Sequence, residues 1–451
     1  MTPRRVLALL GFCLLASTAS GQSEPSFEWG LETQLRFGSF TDLEEEDLFG
    51  DLELIPKLEW GLGERGFARF EARARVEGGD LLEPGERPID GYSQWSRPVT
   101  LRDVGSVEVR EAVLGRDGQR FGWSLGKQQV VWGAIDGFRV LDVVNPVSFR
   151  EFILEDFGSA RIPLWSLVLD WKLGRWRLET VWAPDATVHE IPVDGAPFAF
   201  RAPRFRLQAP EGFAGTEVFE SPDDIDLATY GLRFKTLAAG WDLSFSAVSG
   251  VDPEPLARFG NSGSTFVRFH ERRDVLGVTL AKAFGPVALR TEIGWQPDRW
   301  LNTLGAAGLQ PTRFDQATWA LAADVQGPMG WFFNAQVVGD RLLDAPALDQ
   351  ARLARPERDL FFSLFARRSF RYDTLTWELR WYGGDSRPVG AASEGQGGLY
   401  RSSLEYLIDD ASSVRLEIDW FEGDENAGGY GEVFGQFDRS DRVLLVWRHS
   451  L

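Results

Sequence analysis

From Phe27 to its last residue the chain alternates apolar and polar side chains in runs of roughly ten, bounded by turn-forming residues. The first places Phe27, Trp29, Leu31, Thr33, Leu35 and Phe37 on one face and Glu28, Glu32, Gln34 and Arg36 on the other. Seventeen more follow, at 52–62, 67–77, 106–114, 121–131, 164–173, 175–183, 226–235, 240–249, 266–282, 286–296, 316–326, 330–339, 359–369, 373–382, 398–408, 413–422 and 440–451. The run 266–282 is interrupted by Arg268, His270, Glu271, Arg272 and Arg273, which keeps a sixteen-strand count open beside eighteen. A chain patterned this way throughout is all-β.

The connections narrow the choice. Short ones such as Gly63–Gly66, Leu173–Arg175, Ala238–Gly240 and Phe284–Pro286 alternate without a break with long ones at 38–51, 78–105, 132–163, 184–225, 250–265, 297–315, 340–358, 383–397 and 423–439. A sandwich or propeller has no reason to put every long loop on one side. A transmembrane up-and-down antiparallel β-barrel does this, with short periplasmic turns at one rim and long extracellular loops at the other. Closure also pairs every backbone group without leaving an edge strand in lipid.

The barrel assigns the two faces. An arginine facing the bilayer midplane costs ~2–4 kcal/mol, so Arg69, Glu71, Arg73, Arg75 and Glu77 point inward and Phe70, Ala72, Ala74 and Val76 outward. The same holds for Arg415, Glu417 and Asp419 against Val414, Leu416, Ile418 and Trp420. Many of the 18 tryptophans stand near strand ends, where such side chains favour the headgroup level.

The N-terminus reads as a signal peptide over residues 1–22, to be cleaved: Arg4 and Arg5, an apolar run from Val6 to Ala16, and small residues up to Gly21. Residues 23–451 are then a single outer-membrane barrel domain. The one cysteine, Cys13, lies in the leader, which excludes disulfides and thiolate chemistry from the remainder. A formal charge of −19 argues against nucleic acid as a partner. His189, His270 and His449 are scattered, with no metal-ligand or nucleophile–base spacing, and there is no G-x-S-x-G. The chain is read as no enzyme and as needing no cofactor. The acidic run 42–47 reads as solvated loop rather than a cation site.

One connection stands out. The segment 132–163 carries Val140, Leu141, Val143 and Val144, too apolar for a loop exposed to water, and it is bounded by the turn initiator Asn145-Pro146 and by Pro163. Its charges, Asp136, Arg139, Asp142, Arg150, Glu151, Glu155, Asp156 and Arg161, either line a passage or pin the segment to the wall, with Arg69, Arg73 and Arg75 as wall counterparts. With Asp136-Gly137-Phe138-Arg139, Asn145-Pro146 and Phe149-Arg150-Glu151-Phe152, the stretch 126–165 resembles a family of uncharacterised porin-like outer-membrane proteins. That resemblance implies a barrel and suggests transport, with some relatives tied to envelope export of hydrophobic or polymeric compounds. In general porins the third long loop, which this one is by order, folds inward. The last strand also resembles that of bacterial outer-membrane proteins, although it ends in Leu451 and has His449 where an aromatic is usual.

Three functions follow as expectations: a channel for passive or facilitated passage of small solutes, an export component docking periplasmic partners, or a structural or adhesive barrel acting through its loops. Outer-membrane lipid and lipopolysaccharide are the expected surroundings.

Overall fold

The computed structural model describes residues 26–451 except 42–47, 203–204, 206–208, 210–212, 223–224, 261–262, 306–307, 344–354, 386–395 and 424–432. The leader 1–22 and the acidic run 42–47 lie outside the described residues.

Eighteen antiparallel strands form the wall: Phe27–Phe40, Leu48–Leu62, Gly66–Gly78, Gly105–Arg116, Phe121–Gln128, Leu164–Leu173, Trp176–Ala183, Thr229–Ala238, Trp241–Val251, Arg272–Phe284, Val287–Gly305, Gly308–Gln326, Phe332–Leu343, Arg358–Phe370, Leu375–Asp385, Gln396–Leu407, Ser412–Glu422 and Arg442–Ser450. Each pairs with its sequence neighbour, and the first pairs with the last from Glu32↔Ser450 to Phe40↔Arg442. The sheet closes on itself, which settles the strand count at eighteen.

Short turns at one rim set the register. Ala239-Gly240 has both φ positive (51° and 77°), and Gly174 (64°) and Gly285 (59°) take the first position of their two-residue turns. These are the mirror-image turns whose twist matches that of the flanking strands.

The faces are as the charge pattern requires. Leu404, Leu416, Leu445 and Phe37 are paired across four neighbouring strands and all are exposed, forming one row of the apolar outer surface. On the inner face the ion pairs run between adjacent strands: Arg36 with Asp51, Arg75 with Glu53 at 2.6 Å, and Arg73 with Glu108 at 2.5 Å. Each burial of charge is met by an opposite charge and hydrogen bonds, as a low-dielectric position demands.

Two expectations change. The run 266–282 breaks at His270: Thr265–Phe269 pairs with Leu256–Phe259 and Thr216–Phe219 in a separate three-stranded sheet, and the wall strand begins at Arg272. The expected long loop 297–315 is instead a continuation of its hairpin, with pairing to Gly305↔Gly308 beyond a bulge at Gln296/Arg299. Both revisions come from the charged residues that punctuate the alternation, because a bulge admits an extra polar residue without ending the ladder.

Candidate functional site

The fifth strand ends at Gln128, so the distinctive connection covers 129–163. Its one helical turn is Phe157–Ala160. Asn145 organises the segment: its Oδ1 accepts the Val130 N–H at 2.7 Å and its Nδ2 donates to the Ile162 carbonyl at 2.9 Å, tying entry to exit. Ser148 N–H to Ala160 O and Ile162 N–H to Pro146 O, both 2.8 Å, close the fold from within.

Strands from all round the barrel hold the segment. Glu292, fully buried, accepts the backbone N–H groups of Ala134 and Leu141 (3.0 Å for the latter). Arg290 donates to the Ala134 carbonyl and to Asp136, the latter at 2.7 Å. Trp132 donates to Glu179 while the Arg233 guanidinium lies 5.1 Å from its ring centre. From elsewhere in the wall, Arg110 donates to the carbonyls of Gly158, Ser159 and Arg161, and Arg401 donates to that of Leu154. Carbonyls with no partner inside an irregular segment need such donors.

Apolar contacts are equally distributed. Leu141 rests on the paired wall glycines Gly277 and Gly294, where an added Cβ would come within 2.5 and 3.3 Å of it. With Val140, Val144, Ile135 and Trp132 it joins a cluster containing wall residues Val181, Val248, Val275, Ala320, Ala322 and Val338. Phe152 and Leu154 join a second cluster with Phe40, Phe49, Leu399, Phe421 and Leu444 from other strands.

The charged residues singled out in the sequence divide. Arg150 and Glu151 are almost wholly buried: Glu151 receives Arg36 at 2.7 Å, Arg442 at 2.6 Å and Arg150 at 2.7 Å, while Arg150 also meets Glu83 at 2.9 Å and Glu77 at 3.2 Å. Burial alone would raise the Glu151 pKa, but those three guanidiniums hold its carboxyl well below the usual range. Glu155 accepts from Arg75 at 2.8 Å, and Arg73 reaches the Ser159 carbonyl at 3.3 Å. Asp142 pairs with Arg161 at 2.7 Å and Arg139 at 3.6 Å. Burial, helped by Arg273 and Arg161 nearby, pulls Arg139 down to about 10 against the attraction of Asp142. Asp136, its side chain 71% exposed, and Asp156 face water. Arg69 stands apart, half-exposed and 3.9 Å from Glu111.

Sequence reasoning did not connect Arg36, Glu292, Arg401 or Arg442 with the segment. All stand in polar rows of their strands, so the signal was present, but a row does not say which loop it meets. Nor did it join His189 with His270, which line one cavity.

The model of the family described as "Protein of unknown function (DUF1302)" matches residues 99–411. The chain belongs to this family. The match extends well beyond 126–165 and takes in most of the barrel. No curated protein matches in sequence. The fold is similar to that of OccAB1 of Acinetobacter baumannii, with TM-score 0.53 and 10% identity over 97% of this chain and 99% of that one. It is also similar to Pseudomonas aeruginosa OccK2 (OpdF) in complex with glucuronate, with TM-score 0.52 and 11% identity over 94% and 98%. OccK5 (OpdH) of the same organism gives TM-score 0.50 and 12% identity over 94% and 98%. At such identities the shared property is the fold, that of an outer-membrane porin-type barrel.

Proposed function

We propose that the chain is an outer-membrane channel for small solutes, reached by export through a cleaved leader, in which residues 129–163 cross the lumen and set its narrowest passage. The observation that carries this reading is the origin of the segment's partners. Glu292 and Arg290, Arg401 and Arg442, Arg73 and Arg110 project from the inner face of well-separated strands, and one segment bonds to all of them. A loop lying above the rim would meet neighbours on one side only.

Within this reading Arg150, Glu151, Glu155, Arg73 and Arg75 brace the segment, whereas Asp136 and Asp156 face the solute path. Neighbours of the same fold include a barrel in complex with glucuronate, which supports solutes of that size class. Shortening the segment between Gly137 and Ser159 leaves the hydrogen-bonded wall intact. Single-channel conductance in a planar bilayer should rise several-fold. Unchanged conductance in a variant with normal heat-modifiable gel mobility would place the segment off the path.

A further inference from the structure

The division of the wall into an apolar outer surface and a charged lumen has exceptions at the rim of short turns, the periplasmic one. Arg368 stands near the end of the strand Arg358–Phe370, on the same side as Phe362 and Leu364, which are exposed on the outer surface. Ser363 between those two is buried on the inner side. The cross-strand partner of Arg368 is Trp377, which pairs in turn with Leu404 of the exposed outer row. An arginine thus holds a position that alternation reserves for lipid.

Its surroundings are aromatic. The guanidinium carbon lies 4.7 Å from the Phe370 ring centre and 5.6 Å from that of Trp331, and Trp331 meets Trp377 edge-on at 6.2 Å. Ring faces attract a cation but satisfy none of its directed N–H donors as an oxygen would. Among the described residues Arg368 has neither ion pair nor hydrogen bond, and its Nε is buried. Lys282 gives the contrast. It shares the outer face of its strand with Leu276 and Phe284, 5.1 Å from the Trp241 ring centre, and its Nζ donates to the Ala239 carbonyl at 3.1 Å. That cation has a protein acceptor; Arg368 has none.

The charge nearby is unbalanced. The turn after Phe370 carries Arg371 and Asp373, both exposed, so one positive charge is left in excess on this side. The turn beside Trp331, residues 327–330, carries no charge, and Asp409 and Asp410 lie in the turn beyond the strand after that of Trp377. Toward the bilayer interior Ala366 sits between Phe333 and Leu379, both exposed, so the surface steps inward beneath the guanidinium before Leu364.

We propose that Arg368 and its aromatic neighbours bind the phosphate of an anionic glycerophospholipid of the periplasmic leaflet, of the phosphatidylglycerol class, with an acyl chain laid over Ala366. A guanidinium fork suits two phosphate oxygens, and the rings hold the fork in place. A donor at this depth without an acceptor is costly, and the headgroup is the acceptor that lies there. The excess positive charge favours a monoanion over zwitterionic phosphatidylethanolamine, whose ammonium would be brought beside Arg368 and Arg371. The site is on the outer wall and does not rest on the channel reading.

The test assembles nanodiscs from the folded full-length barrel and an equimolar mixture of phosphatidylglycerol and phosphatidylethanolamine, then weighs the released barrel with its retained lipid by native mass spectrometry. Phosphatidylglycerol should be retained about tenfold over phosphatidylethanolamine, the worth of a charge-assisted bond. Arg368→Gln should remove that preference and Arg368→Lys should recover part of it. Arg367→Gln deletes the same charge one residue away on the inner face, and should leave the preference intact. Equal retention of the two lipids by the natural barrel would mean that Arg368 reaches the headgroup layer without selecting a lipid, and overturns the proposal. So does an unchanged preference in Arg368→Gln, or an equal loss in Arg367→Gln. Should Arg368→Gln not fold, discs of the natural barrel assembled at rising ionic strength decide: the preference should shrink, and a preference independent of salt overturns the site.

Discussion

At the scale of single residues, Glu151 concentrates the most consequence. It is buried against Arg36, Arg442 and Arg150, and removing one partner of a buried charge cluster typically costs about 3–5 kcal/mol because the remaining charges are left uncompensated. Glu151→Gln should therefore lower resistance to denaturant and increase protease cleavage within 129–163, with the wall strands still formed. The same carboxylate implies a direction with pH. Its folded pKa lies below the ordinary value, so its stabilisation is complete above that value and is lost as pH falls through the folded one. Limited proteolysis of the segment should thus accelerate below the usual carboxylate range, and Glu151→Gln should flatten that dependence. Protection independent of pH and of residue 151 would assign the bracing to the apolar contacts. Alternation alone placed Arg73 and Arg75 on the inner face. It could not pair Glu151 with Arg442, because that contact joins residues 291 apart and depends on where an irregular segment comes to rest.

Elements were more legible than their contacts. Each expected run has its strand, since period-two patterning under a lipid-facing constraint leaves the register little freedom. The inner and outer faces follow from it, and two adjacent residues probe them: Leu416, 44% exposed on the outer surface, and Arg415, on the inner. Leu416→Arg should impair assembly and Arg415→Leu should not, as heat-modifiable mobility will report; equal behaviour would reverse the faces. What the pattern concealed was the ending of elements. A polar interruption reads alike whether the strand stops, as at His270, or bulges and continues, as at Gln296. Glycines were similarly silent. Gly277 and Gly294 look like weak points in their strands, yet together they form the depression that receives Leu141. Gly277→Val should force Leu141 out and raise conductance, and adding Leu141→Ala should restore the original value. A Gly277→Val barrel that folds and conducts normally would mean that Leu141 does not dock there.

For the whole molecule, the closed sheet separates two demands that one chain must meet. Its outer rows satisfy lipid, and its inner rows neutralise one another and hold the segment 129–163. The sequence shows eleven candidate charges but not how the inner network shares them out. Arg150 is enclosed by acids, Arg161 is occupied by Asp142, and Arg139 bonds within its own segment. Of the two roles the sequence left open for these charges, we therefore assign selectivity to the ones water reaches, Asp136 and Asp156. Unit charges about 4 Å apart interact by about 4 kcal/mol at the effective dielectric of a protein surface, enough to alter an ion's distribution in a narrow passage. Asp136 also partly neutralises Arg290, at 2.7 Å, so removing its charge exposes a cation as well as deleting an anion. Both effects have the same sign. The double variant Asp136→Asn with Asp156→Asn should move the reversal potential in a salt gradient toward anion selectivity, by more than Arg150→Gln moves it in either direction. A reversal potential that follows Arg150 and ignores the two aspartates would put the solute path on the other side of the segment, against the buried cluster.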